Sequence, residues 1–501
     1  MLAGVFLSLL AAPVLASKAA EVITYPAPVG ETLSNDYVID VDGKPIPTYE
    51  AVTHFHDKKY SFAYFDFSGQ ATVTIKTVRP LDHLAIRPDK YGFMATVHQG
   101  QATFVVDKPF SISFEPTGTD SPLELFGDSI DTDAPKPGEK NVVYFGPGIH
   151  QAGAINLRTG QTLYIAGGAV VHGAVSALGN NIRIMGHGIL DGSEWNQRTA
   201  PADHLVDMYD GRNIVVRDLI CRGAFHWTIV PQRCRNVTID NVHLCGSRVG
   251  NDDGIDPCNC QDVTIENCFL RTDDDSIAIK GTTEGPDENI DIHDCTFWTE
   301  YANVFRIGYE SRAPYLKHLT VRNVDVIHSL NPRNHGVQIF AIQPGGNEAM
   351  EDFLFDNIRI NGEFPQALAK MAPLNGSPGW GAGLGRPRKS TTEPYQENAP
   401  EASANGGRSR GLIPVPGDGP YIHNVVFRNI EVYGQPAGAP DAVIIGGLDA
   451  KRDVDNVTFD HVMRYGVLVT ADSPGVRIGP FATHVTFMGG DSVTAPVTEP
   501  K

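Results

Sequence analysis

From residue 181 onward the chain repeats one short arrangement of polar and apolar positions. A polar residue is followed by an apolar, a polar or apolar, and a second apolar residue, then by a polar one and often by Asn or Asp. The copies are NIRIMG from Asn181, NIVVRD from Asn213, NVTIDN from Asn236, DVTIEN from Asp262, NIDIHD from Asn289 and HLTVRN from His318. They continue as DFLFDN from Asp352, NVVFRN from Asn424 and NVTFDH from Asn456, with a partial copy, HVTFMG, from His484. Alternation of this kind is that of a half-buried strand. Most starts lie 23–34 residues apart, the period of one coil of a parallel solenoid. The sixth position gives Asn241, Asn267, Asp294, Asn323, Asn357 and Asn429, which in stacked coils would exchange amide hydrogen bonds. A propeller would need about 40–45 residues and four strands per repeat. The pattern therefore predicts a right-handed parallel β-helix over 141–490.

The preceding stretch, 22–140, is patterned differently. ATVTIKTV (71–78), ATFVVD (102–107) and FSISFEP (110–116) alternate as strands, but turn residues separate them without a coil period. This predicts an N-terminal antiparallel β-sandwich. VVYFGPGIH (142–150) and QTLYIAGGAVVHGAV (161–175) read as the first coils of the helix. Between Asp352 and Asn424 the spacing jumps to 72, and the excess is a Pro/Gly/Ser/Asn-rich loop, 366–415. Loops of that length are either disordered or functional.

Composition fits an all-β chain with many turns: 51 Gly and 35 Pro in 501 residues, with 41% hydrophobic and 20% charged residues. The formal charge of −19 argues against nucleic acid and anionic membranes as partners. Residues 1–16, MLAGVFLSLLAAPVLA, read as a signal peptide cleaved before Ser17. The expectation is a secreted protein, periplasmic in a bacterium, with no membrane association after cleavage. Asn236, Asn375 and Asn456 head glycosylation sequons. All seven cysteines fall between Cys221 and Cys295 without a zinc-site spacing. They are expected to be core residues with one or two disulfides, and no metal or organic cofactor is implied.

Two successive coils carry clustered acids: Asn251-Asp252-Asp253-Gly254-Ile255-Asp256 and Thr272-Asp273-Asp274-Asp275-Ser276. Asp253 and Asp274 are 21 residues apart, about one coil, so the clusters should stack at roughly 4.8 Å. Carboxylates this close cannot all ionise cheaply, so one should hold a proton near neutrality. A protonated acid beside an ionised carboxylate is what glycoside hydrolysis needs. Turn aspartates and an irregular calcium site are the competing readings.

NDDGID followed by TDDDSIAIK resembles the N-T-D-G-x-D and G-D-D-C-x-A-x-K signatures of glycoside hydrolase family 28, the polygalacturonase group. The sandwich placed before the helix is similar in layout to family 49, the dextranase and isopullulanase group. The resemblance implies a right-handed β-helix of inverting hydrolases. Carried over by position, it makes Asp274 the general acid, with Asp253 and Asp275 holding the attacking water. Asp252 and Asp273 are the neighbours most easily confused with them.

The chain departs from the polygalacturonase pattern in two places. Where the resemblance would put a histidine in G-H-G, this chain has Asn303; its own Gly186-His187-Gly188 lies coils earlier, and His187 is read as structural. Where it would put the uronate-binding R-I-K, this chain has Gln338-Ile339-Phe340. Losing both cations points to a neutral glycan, although Arg306 and Lys280 remain nearby. Further candidates for sugar contact are Tyr309, Glu310, His335 and Trp227. The resulting expectation is a hydrolase of O-glycosidic bonds in a polysaccharide, most simply a neutral α-glucan-like one. The alternatives are a pectin hydrolase, a β-helix lyase or a non-catalytic glycan-binding solenoid.

Overall fold

The computed structural model describes residues 20–54, 59–246, 248–330, 337–361, 367–374, 417–434 and 442–489. Its first unit is two packed sheets. One runs Glu21–Ile23, Lys59–Ser68, Leu123–Ser129, Phe110–Thr119 and Ala85–Arg87, with Tyr49–Val52 also on Lys59–Ser68. The other runs Lys44–Ile46, Tyr37–Val41, Ala71–Thr77, Gln101–Val106 and Thr96–His98. Pairing is antiparallel except between Leu123–Ser129 and Lys59–Ser68. The strand Lys59–Ser68 is buried on both faces: Ala63, Phe65 and Phe67 enter the sandwich core, while Tyr60, Phe62 and Tyr64 face the second unit. Strict alternation of side chains lets one strand serve two cores.

From Val142 onward the chain winds as a parallel β-helix. The repeated motif forms one stack of strands, among them Arg235–Asp240, Gln261–Glu266, Asp287–His293 and Tyr315–Ser329, each paired in parallel with the next. A second stack includes Ile220–Arg222, His243–Cys245 and Phe269–Thr272. The third includes Ile277–Ile279, Phe305–Gly308, Gln338–Gln343, Ala367–Met371 and Val443–Ile445. Inward-facing side chains stack in rows, with Phe427, Phe459 and Phe487 rings about one coil apart, at 5.0 and 4.9 Å. Each such side chain contributes roughly 1.5–3 kcal/mol when fully buried. The sandwich packs on the outer face of the second stack, where Tyr49, Tyr60, Phe62 and Phe126 meet Ile220, Cys245, Phe269 and Trp298.

The asparagines do more than form a ladder. Both ends of each repeated strand adopt left-handed backbone, as at Asn236 (φ 55°) and Asn241 (φ 51°), a conformation Asn tolerates better than most residues. The sixth-position amides bond between coils only in part: Asn357 donates to Asn323 Oδ1 at 2.8 Å, whereas Asn267 donates to Asp240. A second ladder runs along the first position, where Asn213 donates to Asn181 at 2.9 Å and Asn236 to Asn213 at 2.8 Å.

Three expectations need correction or qualification. No disulfide forms: all seven cysteines are free and buried. They fill the interior as small apolar groups, with Cys268 Sγ donating to Glu266 O at 3.1 Å and Cys295 Sγ to His293 O at 3.2 Å. The tract 366–415 is not all loop, because Ala367–Met371 is a strand of the third stack. Its sequence, ALAKM, has no β-branched residue to announce a strand. Residues 366 and 375–415 of that tract, the segment 1–16, His335 and the sequon at Asn375 lie outside the described residues. Among the described residues no helix is long and apolar enough to cross a membrane.

Candidate active site

The register of the third stack places one row of side chains at the turn that enters it. Val206, Ile229, Ile255, Ile277, Phe305 and Phe340 are partners in successive coils. The residues two positions before them are His204, Trp227, Asp253, Asp275, Asn303 and Gln338. Asp253 therefore stacks on Asp275 rather than on Asp274, one residue off the spacing read from the sequence. Gly254 allows the close approach: a Cβ there would lie 2.4 Å from Ser276 O.

Three aspartates have distinct surroundings. Asp275 Oδ1 accepts from Asn303 N at 2.9 Å and Asn303 Nδ2 at 2.6 Å, and its Oδ2 faces Arg306 Nε at 3.4 Å. Asp253 is buried, and its Oδ2 accepts from Lys280 Nζ at 2.6 Å. Burial raises its pKa, Lys280 opposes that, and the anions of Asp275 and Glu310 add to it, leaving it at about 6. Asp274 is half-buried, and its Oδ1 accepts from Asp275 N at 2.9 Å. Desolvation and the neighbouring Asp253 and Asp275 hold its carboxyl well above the usual range, which favours the protonated form. The neighbouring acids have structural work. Asp252 braces the turns, accepting from Asp273 N at 2.8 Å and Arg248 N at 3.0 Å, and Asp273 is fully buried.

The other candidates divide. Asn303, in the position of the expected histidine, is buried and locks two coils together: it donates to Asp275 and its Oδ1 accepts from Gln338 N at 2.9 Å. Arg306 donates to Gln343 Oε1 at 2.7 Å and lies 4.4 Å from the Tyr309 ring centre, so these two line the surface beside the acids. Glu310 Oε2 is 3.4 Å from Lys280 Nζ.

Lys280 and Trp227 are placed against each other, away from an open surface. Lys280 is buried among carboxylates instead of reaching toward solvent. Trp227 has His204 stacked at 5.2 Å from the coil before and the Lys280 ammonium 3.4 Å from its ring centre, so its ring is not a free platform for sugar. Gln338 is buried as well, and Phe340 belongs to the core row, stacked on Phe305 at 5.4 Å. The strand's positions beside the acids are instead Ala341, in register with Arg306 and Lys370, and Gln343.

Sequence reading missed Asp256, His204 and Lys370. Asp256 Oδ2 lies 3.0 Å from Lys280, and the His204 ring is hydrogen-bonded to Asp207. Register counting from Ile255 and Val206 would have found the first two; Lys370 sits on the strand hidden in the long tract. Among the described residues one group has its ligand atoms close enough for a metal ion: Asp66, Asp128 and His187. It lies between the two units, and its atoms are hydrogen-bonded, His187 Nδ1 to Asp66 at 2.7 Å and Asp128 to His243 at 3.3 Å. His187 is thus part of the domain seam.

Residues 158–364 match the family model described as glycosyl hydrolases family 28. A probable polygalacturonase from Vitis vinifera is 28% identical over 115 residues, an alignment that spans 21% of this chain and 23% of that protein. Among solved structures, Dex49A from Penicillium minioluteum superposes over 90% of this chain and 93% of its own, with a TM-score of 0.59 at 14% identity. A family 28 exopolygalacturonase from Yersinia enterocolitica covers 96% and 97%, with a TM-score of 0.49 at 14% identity. The resemblance read from the aspartate motifs is met by the glycosyl hydrolase family 28 match over residues 158–364, and the overall fold is shared with Dex49A.

Proposed function

We propose that this family 28 domain hydrolyses O-glycosidic bonds of a polysaccharide with inversion of the anomeric centre. The observation that carries the reading is the unequal setting of Asp274 and its two neighbours. Asp274, protonated by burial and by adjacent anions, gives its proton to the glycosidic oxygen as the C–O bond breaks. Asp253 and Asp275 hold a water on the opposite face of the sugar, and one of them takes its proton as the oxygen joins the anomeric carbon. One water is consumed, and no cofactor enters the balance.

A neutral glycan is the substrate favoured here, because Ala341 and Gln343 offer no charge where a uronate would need one. A specific observation supports polygalacturonate as a second reading: Arg306 and Lys370 are in register on either side of Ala341. Secretion rests on residues 1–16, and a mature protein that does not begin near Ser17 would contradict it.

Reducing-end release from dextran, pullulan, other neutral glycans and polygalacturonate, wild type against Asp274→Asn, tests the proposal. Cleavage of a neutral glycan that is lost in the variant supports it. Cleavage of polygalacturonate alone keeps the acid but overturns the neutral substrate. Unsaturated, ultraviolet-absorbing products would indicate a lyase, and binding without turnover would indicate a glycan-binding solenoid.

A further inference from the structure

The acid cluster is served from below by one buried ammonium. Lys280 ends the strand Ile277–Ile279, and its neighbour Gly281 is packed so tightly that a Cβ would meet Ser311 Oγ at 2.4 Å and Ala313 N at 2.5 Å. The backbone at this point is therefore fixed, and the side chain has one place to go. Its Nζ lies 2.6 Å from Asp253 Oδ2, 3.0 Å from Asp256 Oδ2, 3.4 Å from Glu310 Oε2 and 3.4 Å from the centre of the Trp227 ring. Trp227 is held in turn by His204, stacked at 5.2 Å with the ring planes 7° apart.

One cation among three carboxyls leaves a net negative charge in a buried site, which costs least if a carboxyl other than its closest partner stays neutral. Asp256 is fully buried, and desolvation drives its carboxyl well above the usual range. Asp253 has the shortest contact to the ammonium, and its Oδ1 has no hydrogen-bond partner among the described residues. The groups facing Asp253 are Lys280, Asp256 and Glu310 on one side and Asp274 and Asp275 on the other, with Arg306 acting through Asp275.

We infer that Lys280, clamped against Trp227, is a positioning residue that keeps Asp253 ionised on the water side of the site and so leaves the catalytic proton on Asp274. Lys280 does not touch the sugar; it acts through Asp253. The inference rests on the hydrolase reading, but its central statement concerns the ionisation of Asp253, which can be read without a substrate.

The test follows the Asp253 carboxyl by ¹³C NMR in aspartate-labelled protein, assigned with Asp253→Asn, beside the acidic limb of the kcat/KM profile. Lys280→Met should move both upward by about one pH unit or more, because an opposite charge at this range is lost. Trp227→Leu should move them the same way by less, and Lys280→Arg should keep them near wild type. Glu310→Gln should move them down, since a neighbouring anion is removed. Should Lys280→Met not fold, the Trp227 and Glu310 variants still decide. An Asp253 titration that is the same in Lys280→Met, Trp227→Leu and Glu310→Gln as in wild type, with activity lowered equally at every pH, overturns the inference. If no glycan is cleaved but the titration shifts as described, the hydrolase reading fails while the Lys280–Asp253 coupling stands.

Discussion

Among the described residues, two groups of buried charges are arranged in different ways. In the domain seam, cations and carboxylates meet with their donors used. Arg271 donates to Glu124 Oε1 of the sandwich at 3.1 Å and to Glu300 Oε1 of the helix at 2.7 Å, flanked by the rings of Tyr60 and Trp298. Arg222 likewise joins Asp191 to Glu31, which it reaches at 2.8 Å, and His187 joins Asp66. In the candidate active site the carboxyls of Asp253, Asp256, Asp274, Asp275 and Glu310 share two cations, Lys280 and Arg306. Cations that each bridge carboxylates of the two units fix how those units sit together. Carboxyls crowded against one another leave a proton available, which is a resource for chemistry.

If that contrast is right, the two clusters should fail differently when broken. The largest effect is on activity: Asp274→Asn should lower kcat by about 10²–10⁴-fold while leaving the urea midpoint near wild type. Arg271→Met should do the reverse. It strands Glu124 and Glu300 in a buried site, so unfolding free energy should fall by about 3–5 kcal/mol, measured by urea denaturation.

His187 sharpens the comparison through pH. Burial disfavours its charge, but the hydrogen bond and charge of Asp66 outweigh this and raise its pKa to about 9 from 6.5. A group raised on folding stabilises fully below its unfolded value and loses that contribution as pH rises through the folded one. On the order of 3 kcal/mol should therefore fade between pH 6.5 and about 9, and His187→Gln should remove that part of the pH dependence of the urea midpoint. The smallest effect belongs to the solvated ladder. Asn357 has φ 53°, so Asn357→Ala should cost about 1 kcal/mol and Asn357→Gly less, read by thermal denaturation.

These clusters were unequally legible in the sequence. The solenoid was plain because the first stack repeats an apolar pair framed by left-handed Asn, so pattern and conformation agree in coil after coil. The aspartate motifs were plain because each is a run of acids that follows one copy of that repeat. Ala367–Met371 escaped because small and flexible side chains carry no strand signal. Phe340 was misplaced because QIFAIQ is apolar on both faces, and its phase is set only by pairing with Phe305 in another coil. The seam was invisible for a related reason: Arg271 and Glu124 lie 147 residues apart, and only the packing of one domain on another brings them together. The seven cysteines misled because stacked thiols and bonded pairs have the same sequence.

The most direct test of the whole account is the anomeric form of the first product, followed by ¹H NMR as the protein cleaves whichever glycan of the panel it accepts. The arrangement of Asp274 against Asp253 and Asp275 predicts that the new reducing end appears first with the configuration opposite to that of the bond cleaved. A product that first appears with the original configuration would contradict it, because retention requires one of these carboxylates to bond covalently to the sugar.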